Sequence, residues 1–245
     1  MASRPAGASP RISAGVPPLR AGQGRSFLWR RLHSLSGIFP VGAFLVEHFV
    51  SNAFATNGPH AYADEVKFLT GIPFLIWVET LFIYIPIAYH ALYGFWIWYR
   101  GESNVGDYSF IGNWGYTIQR WTGAIAFFYM LWHTITMRFM GVHLVGGGFA
   151  NAFGKVQLQL SAGYAMAFFI IGIACASVHF SYGLWLFCAK WGITAGEKGR
   201  RNCGVVCALI CLLFLTLGYT SMYAFLSTPQ QPVNASQVEQ ALTNR

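Results

Sequence analysis

Apolar residues run along this chain in five long stretches, near residues 32–54, 73–99, 115–140, 161–189 and 204–227, separated by short polar connections. A helix needs about 20 residues, at ~1.5 Å each, to span the hydrocarbon of a bilayer. Each stretch reaches or approaches that length. Lipid offers the backbone no hydrogen-bond partners, so each stretch is predicted to be an α-helix that satisfies its own N–H and C=O groups. The predicted fold is therefore all-α: a polytopic membrane protein of five transmembrane helices over residues 26–227. The first four helices form the bundle that carries the chemistry. Residues 1–25 read as a disordered N-terminal tail and residues 228–245 as a polar C-terminal tail.

Composition sharpens this class. Of 245 residues, 55% are hydrophobic, 17% aromatic and only 10% charged, against about 25% charged in an ordinary soluble domain. The formal charge of +8 is unevenly placed. Arg4, Arg11, Arg20, Arg25, Arg30, Arg31, Arg100, Arg120, Lys190, Lys198, Arg200 and Arg201 all fall on one side of a five-span topology. Lys67, Arg138, Lys155 and Arg245 fall on the other. Basic residues stay on the inner side of a membrane, so the N-terminus is expected to be cytoplasmic and the protein to sit in the cell's inner (plasma) membrane. The charge is topogenic and calls for no nucleic acid. The tail lacks the apolar core of a secretory signal. An Arg-rich, acid-free leader also suits an organellar transit peptide, but a cytoplasmic tail is the simpler reading.

The connections alternate between outside (55–72 and the Gly-rich 141–160) and inside (100–114 and 190–203). Cys203, Cys207 and Cys211 recur at helical spacing and read as small hydrophobes in a packed helix. No C-x-x-C-H motif is present, so any haem is held without covalent attachment. An internal repeat is visible: His90-Ala-Leu-Tyr-Gly-Phe-Trp in the second stretch echoes His179-Phe-Ser-Tyr-Gly-Leu-Trp in the fourth. Arg31, Gly37 and His48 find a fainter echo in Arg120, Gly123 and His133.

Four histidines lie deep in four different stretches: His48, His90, His133 and His179. An ionisable side chain in hydrocarbon is costly, which makes each a functional-site hypothesis. Helical rise places His48 roughly 25 Å and His133 roughly 20 Å from the inner surface. His90 and His179 lie about 15 Å from it. Depth thus pairs His48 with His133 towards the outside and His90 with His179 towards the inside. Two facing imidazoles suit iron, zinc or copper, and bis-histidine ligation from opposed helices suits haem b. Gly37, Gly42, Gly94, Gly123, Gly172 and Gly183 supply thin places beside such a group, although small residues also serve close helix packing. Arg30, Arg31 and Arg120 lie where inner propionates would end, with topogenic anchoring as the plainer role. His33, beside Arg31, is a candidate contact of a propionate or a quinone. His60 and His143 fall in outer connections. Pro40 and Pro86 are expected to kink their helices by freeing a carbonyl one turn back.

Several segments together carry a resemblance: Arg30-Arg-Leu-His-Ser-Leu-Ser-Gly37, Leu45-Val-Glu-His48-Phe-Val-Ser-Asn52, Tyr89-His90-Ala-Leu-Tyr-Gly94, Gln119-Arg120-Trp-Thr-Gly123, Trp132-His133 and His179 to Trp185. Over residues 25–227 the chain resembles the di-haem cytochrome b subunits of succinate:menaquinone oxidoreductases and fumarate reductases. The resemblance implies a single-chain anchor of complex II. It would carry two haems b and relay electrons to a membrane quinone, menaquinone. It implies flavoprotein and iron–sulfur partner subunits on the inner side, which hold the succinate site, and a complex open to higher oligomerisation. It implies His90 and His179 as ligands of the inner haem and His48 and His133 as ligands of the outer one, with quinone chemistry near the latter. Asp64, Glu65 and Glu79 are the candidate proton-handling acids.

Two other readings remain. One is a cytochrome b subunit of another quinone-linked dehydrogenase, such as a hydrogenase. The other is a metal or proton transporter that uses the histidines as a relay. Only Glu47 and Glu79 offer acids within the stretches, fewer than an aqueous relay calls for.

Overall fold

The computed structural model of the chain describes residues 21–101, 111–140 and 152–231. Among these residues every regular element is a helix. Four helical segments are long and apolar enough to cross a membrane: Ser26–Asn57, Leu75–Tyr99, Gly163–Lys190 and Gly196–Ser227. They account for four of the five predicted stretches. The remaining one, 115–140, is also helical but carries Gln119, Arg120 and Arg138 and is not among the four.

The first span is two helices, α1 (Ala21–Ile38) and α2 (Val41–Ala53). Pro40 stands at the break, where it withholds an N–H from the helical ladder. The last five residues of the predicted N-terminal tail belong to α1; residues 1–20 lie outside the described set. A 3₁₀ turn, Phe54–Asn57, closes the span at Gly58, whose φ of 95° suits a residue without a Cβ. The outer connection then forms a helix rather than the expected loop: α3, Pro59–Thr70, started by a proline at its first turn. Its Tyr62 is buried, and burial pushes the phenol's pKa upward, keeping it a neutral donor.

The second span joins α4 (Leu75–Glu79) to α5 (Ile85–Tyr99) through a π turn, Thr80–Tyr84. Pro86 follows two residues after it, so the ladder is re-spaced where a proline would otherwise leave a carbonyl unpaired. The third helix, α6 (Ile111–Thr134), also ends in a π turn, Ile135–Met140. Part of the second outer connection is a short helix, α7 (Ala152–Ser161); Gly146 to Gly148 lie outside the described residues. The longest helices are α8 (Gly163–Lys190) and α9 (Gly196–Ser227). The connection between them narrows to residues 191–195, with Gly192 and Gly196 at positive φ.

The bundle is organised around α8, which packs against α1, α6, α7 and α9. Small residues make the approaches close: a Cβ on Gly218 would lie 2.7 Å from Ile173 and 2.9 Å from Phe49. The continuous apolar core lies at the end of the bundle that carries α3 and α7. There Tyr62 of α3 and Phe153 of α7 meet Phe225 of α9 in edge-to-face and tilted ring contacts. Most other large apolar side chains, such as Leu209, Leu212 and Leu213 of α9, face outward, as lipid allows.

Candidate functional site

The structure brings the four deep histidines together in two pairs. His90 of α5 and His179 of α8 approach edge to face, with ring centroids 6.1 Å apart and planes at 82°. His48 of α2 and His133 of α6 do the same at 5.8 Å and 75°. Two imidazole nitrogens on opposite sides of one metal ion, each at roughly 2 Å, put the ring centroids about 6 Å apart. Among the described residues, no cluster of three or more His, Cys, Asp or Glu side chains could hold a metal. Each pair is thus a two-ligand set, suited to a metal whose other positions come from its own macrocycle.

The inner pair is held by backbone. His90 Nδ1 lies 2.9 Å from the carbonyl of His33, and His179 Nδ1 lies 2.9 Å from the carbonyl of Gln119. A neutral imidazole has one N–H. With that proton on Nδ1, each Nε2 keeps a free lone pair, as a metal-ligating histidine needs. Gln119 also donates its side-chain amide to the carbonyl of His179 at 3.0 Å. Glycines clear the space. A Cβ on Gly37 would overlap the His90 ring, and one on Gly123 would lie 2.6 Å from His179 Cε1. His33 stacks flat on His90 at 4.2 Å and 7°, with its own Nδ1 buried and without a hydrogen-bond partner among the described residues.

The outer pair has different support. Asn52, one turn beyond His48, places its amide 3.3 Å from His48 Nε2 and donates to the carbonyl of His48 at 2.8 Å. Tyr62 reaches down from α3 to Asn52 Oδ1 at 3.4 Å. His133 stacks on Tyr129 and meets the edge of Phe169. Its Nδ1 is buried and, among the described residues, has no hydrogen-bond partner. Ser51, beside Asn52, contacts Glu47 at 2.5 Å and Glu65 at 2.9 Å.

The candidate cations divide. Arg31 donates to the carbonyl of Lys190 at 2.5 Å, between the rings of Phe27 and Trp191. It thereby meets the negative C-terminal end of α8. Arg120 lies over the Tyr116 ring at 3.7 Å and keeps a buried Nη2 without a partner among the described residues, so it retains a donor for an anionic group. Of the candidate acids, Glu79 makes a two-point ion pair with Arg138, at 3.0 and 2.9 Å. Glu65 is engaged with Ser51, and Asp64 is exposed on α3. His60 is exposed, and His143 lies outside the described residues. Gln119, Asn52 and Ser51 were not singled out in the sequence as functional residues. The signal for Gln119 was its place one turn before Gly123, matching His33 before Gly37.

The inner pair fits haem on observed grounds: rings at the right separation, both Nδ1 atoms on backbone carbonyls, and glycines beside the rings. The outer pair shares the ring separation, and Arg120 keeps a buried donor without a partner among the described residues. Fold and site together define a multi-pass, all-α membrane protein with two facing histidine pairs. A succinate dehydrogenase cytochrome b558 subunit from Bacillus subtilis (strain 168) is 36% identical over 204 residues, covering 82% of this chain and 98% of that protein. No family model matches the chain. The chain belongs to the succinate dehydrogenase cytochrome b subunits, the membrane anchors of complex II.

Proposed function

We propose that this chain anchors a succinate:quinone oxidoreductase in the plasma membrane and relays electrons through two haems b to menaquinone. The observation that carries the reading is the presence of two facing histidine pairs, one towards each side of the bundle. In this reading α6 also crosses the membrane, as the third of five spans, and the cytoplasmic side holds the N-terminus together with the flavoprotein and iron–sulfur subunits. His90 and His179 bind the inner haem; His48 and His133 bind the outer one. Each haem, when bound, supplies a one-electron carrier.

The chain's own residues do the rest. The carbonyls of His33 and Gln119 orient the inner rings and hold their protons on Nδ1. The apolar helices keep water from the centres. Arg120 offers its free donor to a propionate, while Arg31 serves the end of α8. Asn52, with Tyr62 behind it, steadies the outer side near the quinone. The succinate site belongs to the partner subunits.

Haem stoichiometry of the purified complex tests the proposal. Two haems per copy of this chain, all removed by acid–acetone, are expected. One or none, or haem that resists extraction, would overturn it.

A further inference from the structure

The inner centre is built twice from the same four parts. On the first helix of each half, a polar residue precedes a glycine by one turn: His33 and Gly37 on α1, Gln119 and Gly123 on α6. On the second helix, a histidine precedes a glycine by one turn: His90 and Gly94 on α5, His179 and Gly183 on α8. The contacts correspond. The carbonyl of the polar residue meets the histidine Nδ1, at 2.9 Å in both halves. The glycine after the polar residue faces that histidine's ring, and the glycine after the histidine faces the polar side chain. A Cβ on Gly94 would lie 3.2 Å from His33 Cε1, and one on Gly183 would lie 3.2 Å from Gln119 Nε2.

The halves differ only in what the polar side chain does. In both halves that carbonyl also accepts from a hydroxyl three residues on, Ser36 at 3.0 Å and Thr122 at 3.3 Å, but the His33 side chain lies flat against His90. Gln119 instead returns a hydrogen bond to the carbonyl of His179 at 3.0 Å, so two bonds of opposite sense clasp α6 to α8. The outer pair has no such latch: His133 Nδ1 is buried without a partner among the described residues.

We infer that Gln119 is the positioning residue of His179, equivalent to His33 for His90, and that together they form a duplicated latch confined to the inner centre. This rests on the reading of His90 and His179 as haem ligands. The clasp holds α8 in the register at which Nδ1 reaches the Gln119 carbonyl. That contact fixes the ring's tautomer and raises the basicity of Nε2. A more basic ligand favours oxidised iron, so loosening the latch raises the midpoint potential of the inner haem alone.

Redox-titrated difference spectra of the whole complex in membranes, with the rate of haem loss in detergent, test this on Gln119→Leu, Gln119→His and His179→Ala. Contacts of this kind are typically worth 10–100-fold in metal affinity. Gln119→Leu should therefore lose one haem at least tenfold faster and shift that haem's midpoint upward. The other haem should be unchanged, which reports an assembled bundle. Gln119→His, which installs the side chain used in the other half, should restore both readouts. Wild-type midpoints and loss rates in Gln119→Leu would overturn the latch, as would Gln119→His behaving like Gln119→Leu. If His179→Ala keeps both haems, the ligand assignment itself fails, whatever Gln119 does.

Discussion

At the scale of residues, each proposed haem centre depends on one pair of imidazoles. His48→Ala or His133→Ala should remove the outer haem, and His90→Ala or His179→Ala the inner one, each read as loss of one component in a reduced-minus-oxidised spectrum. The same component lost in His48→Ala and His179→Ala would contradict the pairing. Glycines set the space around the rings. A side chain on Gly123 would start 2.6 Å from His179 Cε1, and overpacking of this kind costs about 1–3 kcal/mol. Gly123→Val should therefore reproduce the spectrum of His179→Ala while leaving the outer component in place. Gly58→Val, at a position open around its Cβ, should leave both components and act only through its positive φ.

At the scale of elements, the end of the bundle that carries α3 and α7 is braced by polar contacts between segments that hydropathy alone leaves unjoined. Glu79, just before one π turn, pairs with Arg138 inside the other, and Tyr84 meets Phe139 beside them. The Arg138 side chain is 37% exposed and that of Glu79 14%, so the pair lies between the surface and buried limits. Arg138→Met, which strands a half-buried carboxylate, should cost about 1–3 kcal/mol. Glu79→Gln should cost less. Thermal unfolding of the detergent-solubilised complex separates the two. On the opposite flank, buried Gln157 of α7 donates to the carbonyls of Phe225 and Thr228 at the end of α9 and accepts from the Gln231 amide. These carbonyls belong to a helix end that has no partners of its own. Gln157→Leu should cost about 1–3 kcal/mol by leaving them unsatisfied in a buried setting, seen as a lower unfolding temperature with both haems retained below it.

At the scale of the whole molecule, the two pairs lie one behind the other along the bundle. In the proposed orientation, electrons enter at the inner haem and leave at the outer one. Moving one charge through 100 mV is worth about 2.3 kcal/mol. With the outside positive, outward electron movement is favoured, which assists transfer to a low-potential acceptor such as menaquinone. An uncoupler should therefore slow succinate-dependent quinone reduction in intact cells and leave the detergent-solubilised complex unaffected. A rate indifferent to the membrane potential, where this enzyme limits turnover, would place quinone reduction on the inner side, near His33.

What the chain determines by itself is its one-dimensional content. Five apolar stretches, the split of basic residues and four ionisable side chains at regular depths are local properties. A constant helical rise converts them into spans and a depth pairing. Pro40 and Pro86 mark the helix break and the π turn for the same reason, since a missing N–H acts within its own turn. Contacts across helices are not local, and only the tertiary structure decided them. Gln119 and Asn52 read as ordinary polar residues until α8 and α3 were set against them. Arg31 and Arg120 look alike as inner cations, yet one caps α8 and the other keeps a donor without a partner among the described residues. The outer connections read as loops because α3 and α7 are too short for helical periodicity to assert itself. They are helices because Tyr62 and Phe153 bury themselves against Phe225, a partner far along the chain that hydropathy cannot name.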